Sequence, residues 1–235
     1  MIKAIIFDLD NTLVDFMKMK DDAVNAAINA MLDAGLKMTF EEARRRIYEI
    51  YQKEGIEFQE VFDRFLTECC GTINPKFLAA GIVAYRRARE AALVLYPHVN
   101  LTLIELLKRG LKLAVLSDAP RKQAWLRLCY LNLHHLFEVV VTYEDTGKRK
   151  PEPEPFRKVL EILDSRPEEA LMVGDWPERD MTGASKLGIL TVYAKYGDVY
   201  DRFSQTVAAE PPKADFTVGD ISELIDIVEK LNGKP

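Results

Sequence analysis

The stretch Ile5-Ile6-Phe7-Asp8-Leu9-Asp10-Asn11-Thr12-Leu13-Val14 restricts the fold more than any other part of this 235-residue chain, because it ends an apolar run with two acids two residues apart. Ile2 to Phe7 is apolar apart from Lys3, short and rich in β-branched residues. That is the pattern of a strand covered on both faces by helices, and it belongs at the centre of a parallel sheet. Alternate side chains of a strand share a face, so Asp8 and Asp10 are expected to leave its carboxyl end on one side unless the chain bends there. Two carboxylates so close repel and are held only with a cation, a shared proton or water between them. A divalent metal is the simplest resolution, and the rest of the chain is read for groups that complete such a site.

From Lys18 onward the pattern changes to helix-forming stretches at Asp21 to Leu32, Thr39 to Lys53, Glu57 to Cys69 and Pro75 to Leu93, with Thr39-Phe40-Glu41-Glu42 reading as a capping box. Gly35, Gly55 and Gly71 punctuate the gaps. No strand pattern interrupts them, so residues 15–95 are expected to form a four-helix insert. After Tyr96-Pro97 strands and helices alternate, the signature of a doubly wound α/β sheet. Strands are expected at 111–116, 139–142, 170–173, 190–194 and 216–218. Helices are expected at 101–108, 120–130, from Pro153 or Pro155 to Leu163, at 180–187 and at 222–231. The expected division is therefore a catalytic core of residues 1–14 and 96–235 around a helical insert of 15–95.

A formal charge of −5 argues against a surface for nucleic acid or an anionic membrane, since both require a basic patch. Arg44-Arg45-Arg46 and Arg86-Arg87 read as solvated helix faces. Cys69, Cys70 and Cys129 are odd in number and lack metal-type spacing, which fits a reducing compartment, with the cytoplasm as the default. Neither a leader pattern nor an apolar run of membrane length is present. His98, His134 and His135 show no ligand spacing and are read as non-catalytic.

Three apolar runs end in polar groups: Phe7 into Asp8, Leu116 into Ser117-Asp118, and Val173 into Gly174-Asp175. In an open parallel sheet, ligands bind beyond the carboxyl ends of the strands, at a switch in strand order. These ends are expected to meet at one crevice. The ordered set Asp8-Leu9-Asp10-Asn11-Thr12, Ser117, Lys150-Pro151-Glu152-Pro153, then Gly174-Asp175 with Asp180 five residues on, resembles the four motifs of the haloacid dehalogenase (HAD) superfamily, over almost the whole chain. The insert resembles that superfamily's C1 cap, a lid over the site.

Phosphate monoesters hydrolyse slowly unaided, so a catalyst needs an in-line nucleophile, charge neutralisation and a proton for the leaving oxygen. The resemblance makes Asp8 the nucleophile, through an aspartyl phosphate, and Asp10 the general acid and then base. A neighbouring carboxylate is expected to raise the proton affinity that Asp10 needs. Mg2+ is the implied cofactor, with the Asp8 side chain, the Asp10 main-chain carbonyl and Asp175 as ligands and Asp180 involved directly or through water. Thr12 and Ser117, with Asp118 beside them, are assigned to the phosphate oxygens, and Lys150 is the positive charge facing Asp8 and the phosphoryl group. Asp15, Phe16, Lys18 and Trp176 are read as packing or hinge residues.

The expected activity is hydrolysis of a small phosphorylated metabolite. The alternatives on the same scaffold are a phosphomutase, a 2-haloacid dehalogenase and a phosphate-binding module without turnover. Asp10 counts against the dehalogenase, because expulsion of halide needs no acid. The chain is expected to be a monomer or homodimer, with an exposed cap face or Tyr196 to Pro212 available for self-association.

Overall fold

In the computed structural model, which describes residues 1–198 and 213–233, the first apolar run becomes strand β1 (Ala4–Phe7), buried along its whole length. Helices α1 (Phe16–Asp33), α2 (Phe40–Glu54), α3 (Val61–Cys70) and α4 (Pro75–Ala92) follow without an intervening strand. Then come α5 (Val99–Lys108), β2 (Lys112–Ser117), α6 (Arg121–Tyr130), β3 (Val139–Thr142), the short α7 (Tyr143–Thr146), α8 (Pro153–Leu163) and β4 (Ala170–Gly174). The described chain ends with α9 (Thr182–Ser185), β5 (Leu190–Ala194), β6 (Phe216–Val218) and α10 (Leu224–Leu231).

Among the described residues the strands form one six-stranded, wholly parallel sheet in the order β3-β2-β1-β4-β5-β6. The connection from β1 runs to one side and the later strands continue on the other, so the switch in strand order falls between β1 and β4. Period two sorts the strands into faces. Ala4, Ile6, Ala114, Leu116, Ala170 and Met172 share one core with Phe156, Val159, Leu160 and Leu163 of α8 and Met181 and Ala184 after β4. Ile5, Phe7, Leu113, Val115, Leu171 and Val173 alternate with them and are equally buried.

The chain divides into two compact units, Met1–Asp15 with Leu95–Pro235, and Phe16–Val94. The first is closed where the insert leaves and returns: Val14 pairs antiparallel with Leu95, and Tyr96 N–H donates to the Leu13 carbonyl at 3.0 Å. The second has its own apolar core, including Val24, Ile28 and Met31 of α1, Ile47 and Tyr51 of α2, and Phe62 and Phe65 of α3. Its helices begin at recognisable caps: Thr39 Oγ1 accepts from Glu42 N–H at 3.2 Å, and Asn74 Oδ1 accepts from Lys76 N–H at 3.0 Å ahead of Pro75.

The short helix α7 is not expected from the sequence, and three other elements differ from expectation. Helix α1 starts at Phe16 rather than Asp21, because Phe16, Met19 and Lys20 already lie on its buried face. The helix expected at 180–187 is a wide π-type turn, Pro177–Met181, followed by α9. The expected last helix starts with the 3-10 turn Ile221–Glu223, capped by Asp220. No helix among the described residues is long and apolar enough to cross a membrane. Of the Tyr196 to Pro212 stretch considered for self-association, 199–212 lie outside the described residues.

Candidate active site

Beyond the carboxyl ends of β1 and β4, at the switch in strand order, three buried carboxylates from distant parts of the chain come together. Asp8, Asp175 and Asp180 each present an oxygen, all within 4.8 Å of one another. Lys150 closes the group: its Nζ donates to Asp8 Oδ1 at 2.5 Å and to Asp180 Oδ1 at 2.6 Å. Thr12 Oγ1 donates to Asp175 Oδ1 at 3.0 Å. The sequence thus brings Asp8, Thr12, Lys150, Asp175 and Asp180 to one place, whereas Lys148 is exposed and Arg149 lies over the Tyr143 ring.

Local geometry explains why these side chains converge. Asp8 N–H still bonds the Val173 carbonyl at 2.9 Å, so the first acid sits at the last rung of the β1–β4 ladder. Asn11, in the left-handed region at φ 62°, then turns the chain, and bonds among Leu9, Asn11, Leu13 and Val14 close the loop. Gly197 seals it from the other side, since a Cβ there would lie 1.6 Å from the Asn11 carbonyl oxygen. Tyr196 Oη donates to the Thr12 carbonyl at 2.8 Å. Asp180 is aimed inward by the π-type turn, with its carboxylate accepting from Trp176 N–H at 3.1 Å. Gly174 makes room for it, because a Cβ there would meet Asp180 Oδ2 at 2.2 Å. Lys150 is directed through its own backbone, whose N–H donates to Asp118 Oδ1 at 3.1 Å, and its bond to Pro151 is cis.

The electrostatics follow from burial. Desolvation pushes the Asp8 carboxyl above the ordinary aspartate range, against the pull of Lys150. It does the same to Asp175, where the Asp8 and Asp180 charges add to the rise. Burial raises Asp180 to about 6 despite Lys150. Lys150 loses stability as an ammonium through burial, but Asp180, Asp8 and Asp118 outweigh that and hold it above the usual lysine range. Three carboxylates and one ammonium leave the cluster two negative charges from neutrality. Asp175 Oδ2 is buried without a hydrogen-bond partner, and an orphaned charged oxygen in such a place is costly. A hard divalent cation fits on both counts, charge and oxygen donors.

Several expected site residues are engaged differently. Asp10 meets the guanidinium of Arg127, Nη1 to Oδ2 at 2.8 Å, a cation that the sequence alone does not place there. The two acids of the opening motif thus meet two different cations, Asp8 meeting Lys150 and Asp10 meeting Arg127. Asp118 is held by Lys150 N–H and by Arg179 Nη1 at 3.2 Å, with Arg179 stacked 3.6 Å over the Trp176 ring. Its charge is among those that hold the Lys150 ammonium. Ser117 Oγ accepts from Ala119 N–H at 3.1 Å and keeps its own proton to donate. Lys18 pairs with Asp22 on the helix surface, and Phe16 is buried. His98 pairs with Asp220. Arg127, Arg179, Tyr196 and Gly197 were not singled out from the sequence. Arg127 shares the inward face of α6 with Ala124 and Leu128, a placement that a lone arginine in a helix does not announce.

Residues 5–194 match the family model for haloacid dehalogenase-like hydrolases. A glyceraldehyde 3-phosphate phosphatase of Methanocaldococcus jannaschii is 36% identical over 234 residues, covering 98% of this chain and 99% of its own. The protein of the same name from Pyrococcus furiosus is 33% identical over 232 residues, covering 99% of this chain and 95% of its own. Among solved structures, a HAD phosphatase from Thermococcus onnurineus superposes with a TM-score of 0.69 at 24% identity, covering 97% of this chain and 98% of its own. A 2-haloacid dehalogenase from Pseudomonas syringae does so at 0.66 and 21%, covering 98% of this chain and all of its own. The fold alone therefore does not choose the chemistry. With the family model spanning most of its length and full-length relatives above 30% identity, the chain belongs to the haloacid dehalogenase-like hydrolases.

Proposed function

We propose that the chain is a Mg2+-dependent phosphatase that hydrolyses a small phosphorylated metabolite through an aspartyl phosphate on Asp8. The observation that carries this is Asp8 itself, a buried carboxylate at a strand end, bonded to Lys150 and clustered with Asp175 and Asp180. The chain is a phosphomonoester hydrolase by family and by its full-length relatives. Because those relatives are named glyceraldehyde 3-phosphate phosphatases, a three-carbon aldehyde phosphate is the first substrate to test.

In this reading an Asp8 oxygen attacks phosphorus, the bond to the leaving oxygen breaks, and Asp10 gives that oxygen its proton. Water then attacks the phosphoenzyme and gives Asp10 a proton as the bond to Asp8 breaks. The products are the alcohol and inorganic phosphate. Lys150 balances Asp8 and the incoming phosphoryl charge, and the Ser117 hydroxyl, which accepts from Ala119 N–H and keeps its own proton, is assigned to a phosphate oxygen, with Thr12 bonded to Asp175 beside it. The Asp8 and Asp175 carboxylates and the Asp10 carbonyl are assigned to the metal, with Asp180 in the same shell directly or through water. When bound, the cation supplies charge neutralisation to the transferring group. Asp118 is assigned to steering Lys150, and the helices of Phe16–Val94 to substrate selection. The presence of an acid at Asp10 favours ester hydrolysis over dehalogenation.

The test is phosphate release from p-nitrophenyl phosphate and from glyceraldehyde 3-phosphate, with and without Mg2+, using Asp8→Asn as control. Release that needs both Mg2+ and Asp8 supports the proposal. Equal rates for both proteins end it.

A further inference from the structure

Arg127 lies on the inward face of α6, one turn from Ala124 and beside Leu128, both fully buried. An apolar residue is the ordinary occupant of such a position. A guanidinium there is costly to desolvate and is kept only where a well-made charge partner meets it. Its side chain is 7% exposed, and the carboxylate it meets is Asp10, 117 residues away in sequence, whose side chain is 19% exposed. The phosphate-facing charge is already supplied by Lys150, which binds Asp8 and Asp180. The contact made by this second buried cation is with the other acid of the opening motif. A guanidinium is a rigid planar fork with directed donors, so it fixes the direction of a carboxyl group better than an ammonium does.

From this we infer that Arg127 is a positioning residue for Asp10, holding the carboxyl group in the direction from which it serves the leaving oxygen. The inference rests on the reading of Asp10 as the acid of a phosphatase. A residue that acts only through the acid has a particular kinetic mark. An alkoxide leaves poorly without a proton, whereas p-nitrophenolate leaves well without one, so in the ester-cleaving step damage to the acid is felt on alkyl esters and spared on the activated aryl ester, while the later attack of water, which Asp10 serves as base, is common to both. Loss of a support for the loop would slow both substrates alike.

The experiment compares kcat/KM, which reports the steps up to cleavage of the ester, for a three-carbon alkyl phosphate and for p-nitrophenyl phosphate in the Mg2+-loaded wild type, Arg127→Gln, Arg127→Lys, Asp10→Asn and Asp10→Asn/Arg127→Gln, with thermal midpoints measured alongside. The expected result is a loss in kcat/KM of about thirtyfold or more on the alkyl ester and less than about threefold on the aryl ester for Arg127→Gln, a partial loss of the roughly hundredfold or more that an acid–base group supplies. Arg127→Lys, which keeps the charge without the fork, should recover part of the loss. In the Asp10→Asn background the further loss of Arg127 should change neither rate by more than about twofold, because residues acting as one unit are not additive.

Equal losses on both esters, a gain on the alkyl ester, or a full further loss in the Asp10→Asn background would overturn the inference. If Arg127→Gln does not fold, the Arg127→Lys protein alone decides by the ratio of its two losses. The failures are separable. A wild type without Asp8-dependent turnover removes the phosphatase reading and this inference with it. An Asp10→Asn protein without leaving-group discrimination removes the acid assignment. Discrimination in Asp10→Asn but not in the Arg127 variants removes the role of Arg127 alone.

Discussion

Two lysines of this chain are buried almost equally, Lys150 at 5% exposure in the sheet unit and Lys20 at 3% in the helical unit, yet their surroundings have nothing in common. Lys150 is held by the carboxylates of Asp8 and Asp180. Lys20 lies over the rings of Tyr51, Tyr85 and Phe16 at 4.8, 5.6 and 5.7 Å and donates to the Tyr85 hydroxyl at 3.1 Å. Removing Lys150 leaves ionised groups facing one another without balance, and removing Lys20 leaves aromatic rings and one phenol. Burial of a charge does not by itself mark chemistry; the partner that the charge was buried to meet does.

The strongest way to break this contrast is to replace both lysines with methionine. Lys150→Met should lower kcat by about a thousandfold or more, the scale of losing a preorganised charge at the reacting centre. It should also cost about 3 kcal/mol of stability in the metal-free protein, because a buried pair is broken on one side. Lys20→Met should keep kcat within about threefold and stability within about 2 kcal/mol, the scale of buried cation–π contacts. Chemical denaturation and steady-state rates measure both, and loss of turnover in Lys20→Met would erase the distinction.

Gly197→Ala sharpens the contrast from the side of the backbone. The Cβ would enter the Asn11 carbonyl oxygen and press on Asp175, so a destabilisation of about 1–3 kcal/mol is expected together with weaker Mg2+ binding by calorimetry. A Gly81→Ala change in the helical unit meets only the flexible Met31 side chain at 3.1 Å and should leave the metal affinity unchanged. The pH dependence comes next. Asp180 stands at about 6 in the folded chain against an ordinary 3.8, so its contribution to stability is present below about pH 4 and is lost as pH rises through 6. The thermal midpoint of the metal-free protein should therefore fall between pH 4.5 and 7, and Mg2+ should raise it more at pH 7.5 than at pH 5. Tyr196→Phe is the smallest change: it removes one hydrogen bond to the Thr12 carbonyl, worth about 1 kcal/mol by denaturation.

Much of this arrangement is legible from local pattern. The apolar run ending at Asp8, the strand ending at Gly174-Asp175 and the alternation after Tyr96 each announce an element and the end that carries polar groups. Lys150 is found by its place before Pro151, although spacing alone does not separate it from Lys148. The pairing of Asp10 with Arg127 is not legible, because it joins residues 117 positions apart and a lone arginine in a helix reads as solvated. The same holds for Arg179 and Tyr196, which act through contacts with Asp118 and with the Thr12 carbonyl. The π-type turn at Pro177–Met181 reads as ordinary helix from composition, since only the wider turn shows that Asp180 points inward. Arg45 and Arg46 of the basic run are read correctly as surface groups, since both pair with Glu42 along their own helix.

The most direct test of the central claim is to mix the Mg2+-loaded protein with excess substrate, quench within a turnover in acid, digest it, and weigh the peptides. The predicted result is one phosphoryl group on the peptide containing Asp8, absent without Mg2+ and absent in Asp8→Asn. Turnover that releases phosphate while the Asp8 peptide stays unmodified, with the phosphoryl group on another residue, would contradict the claim.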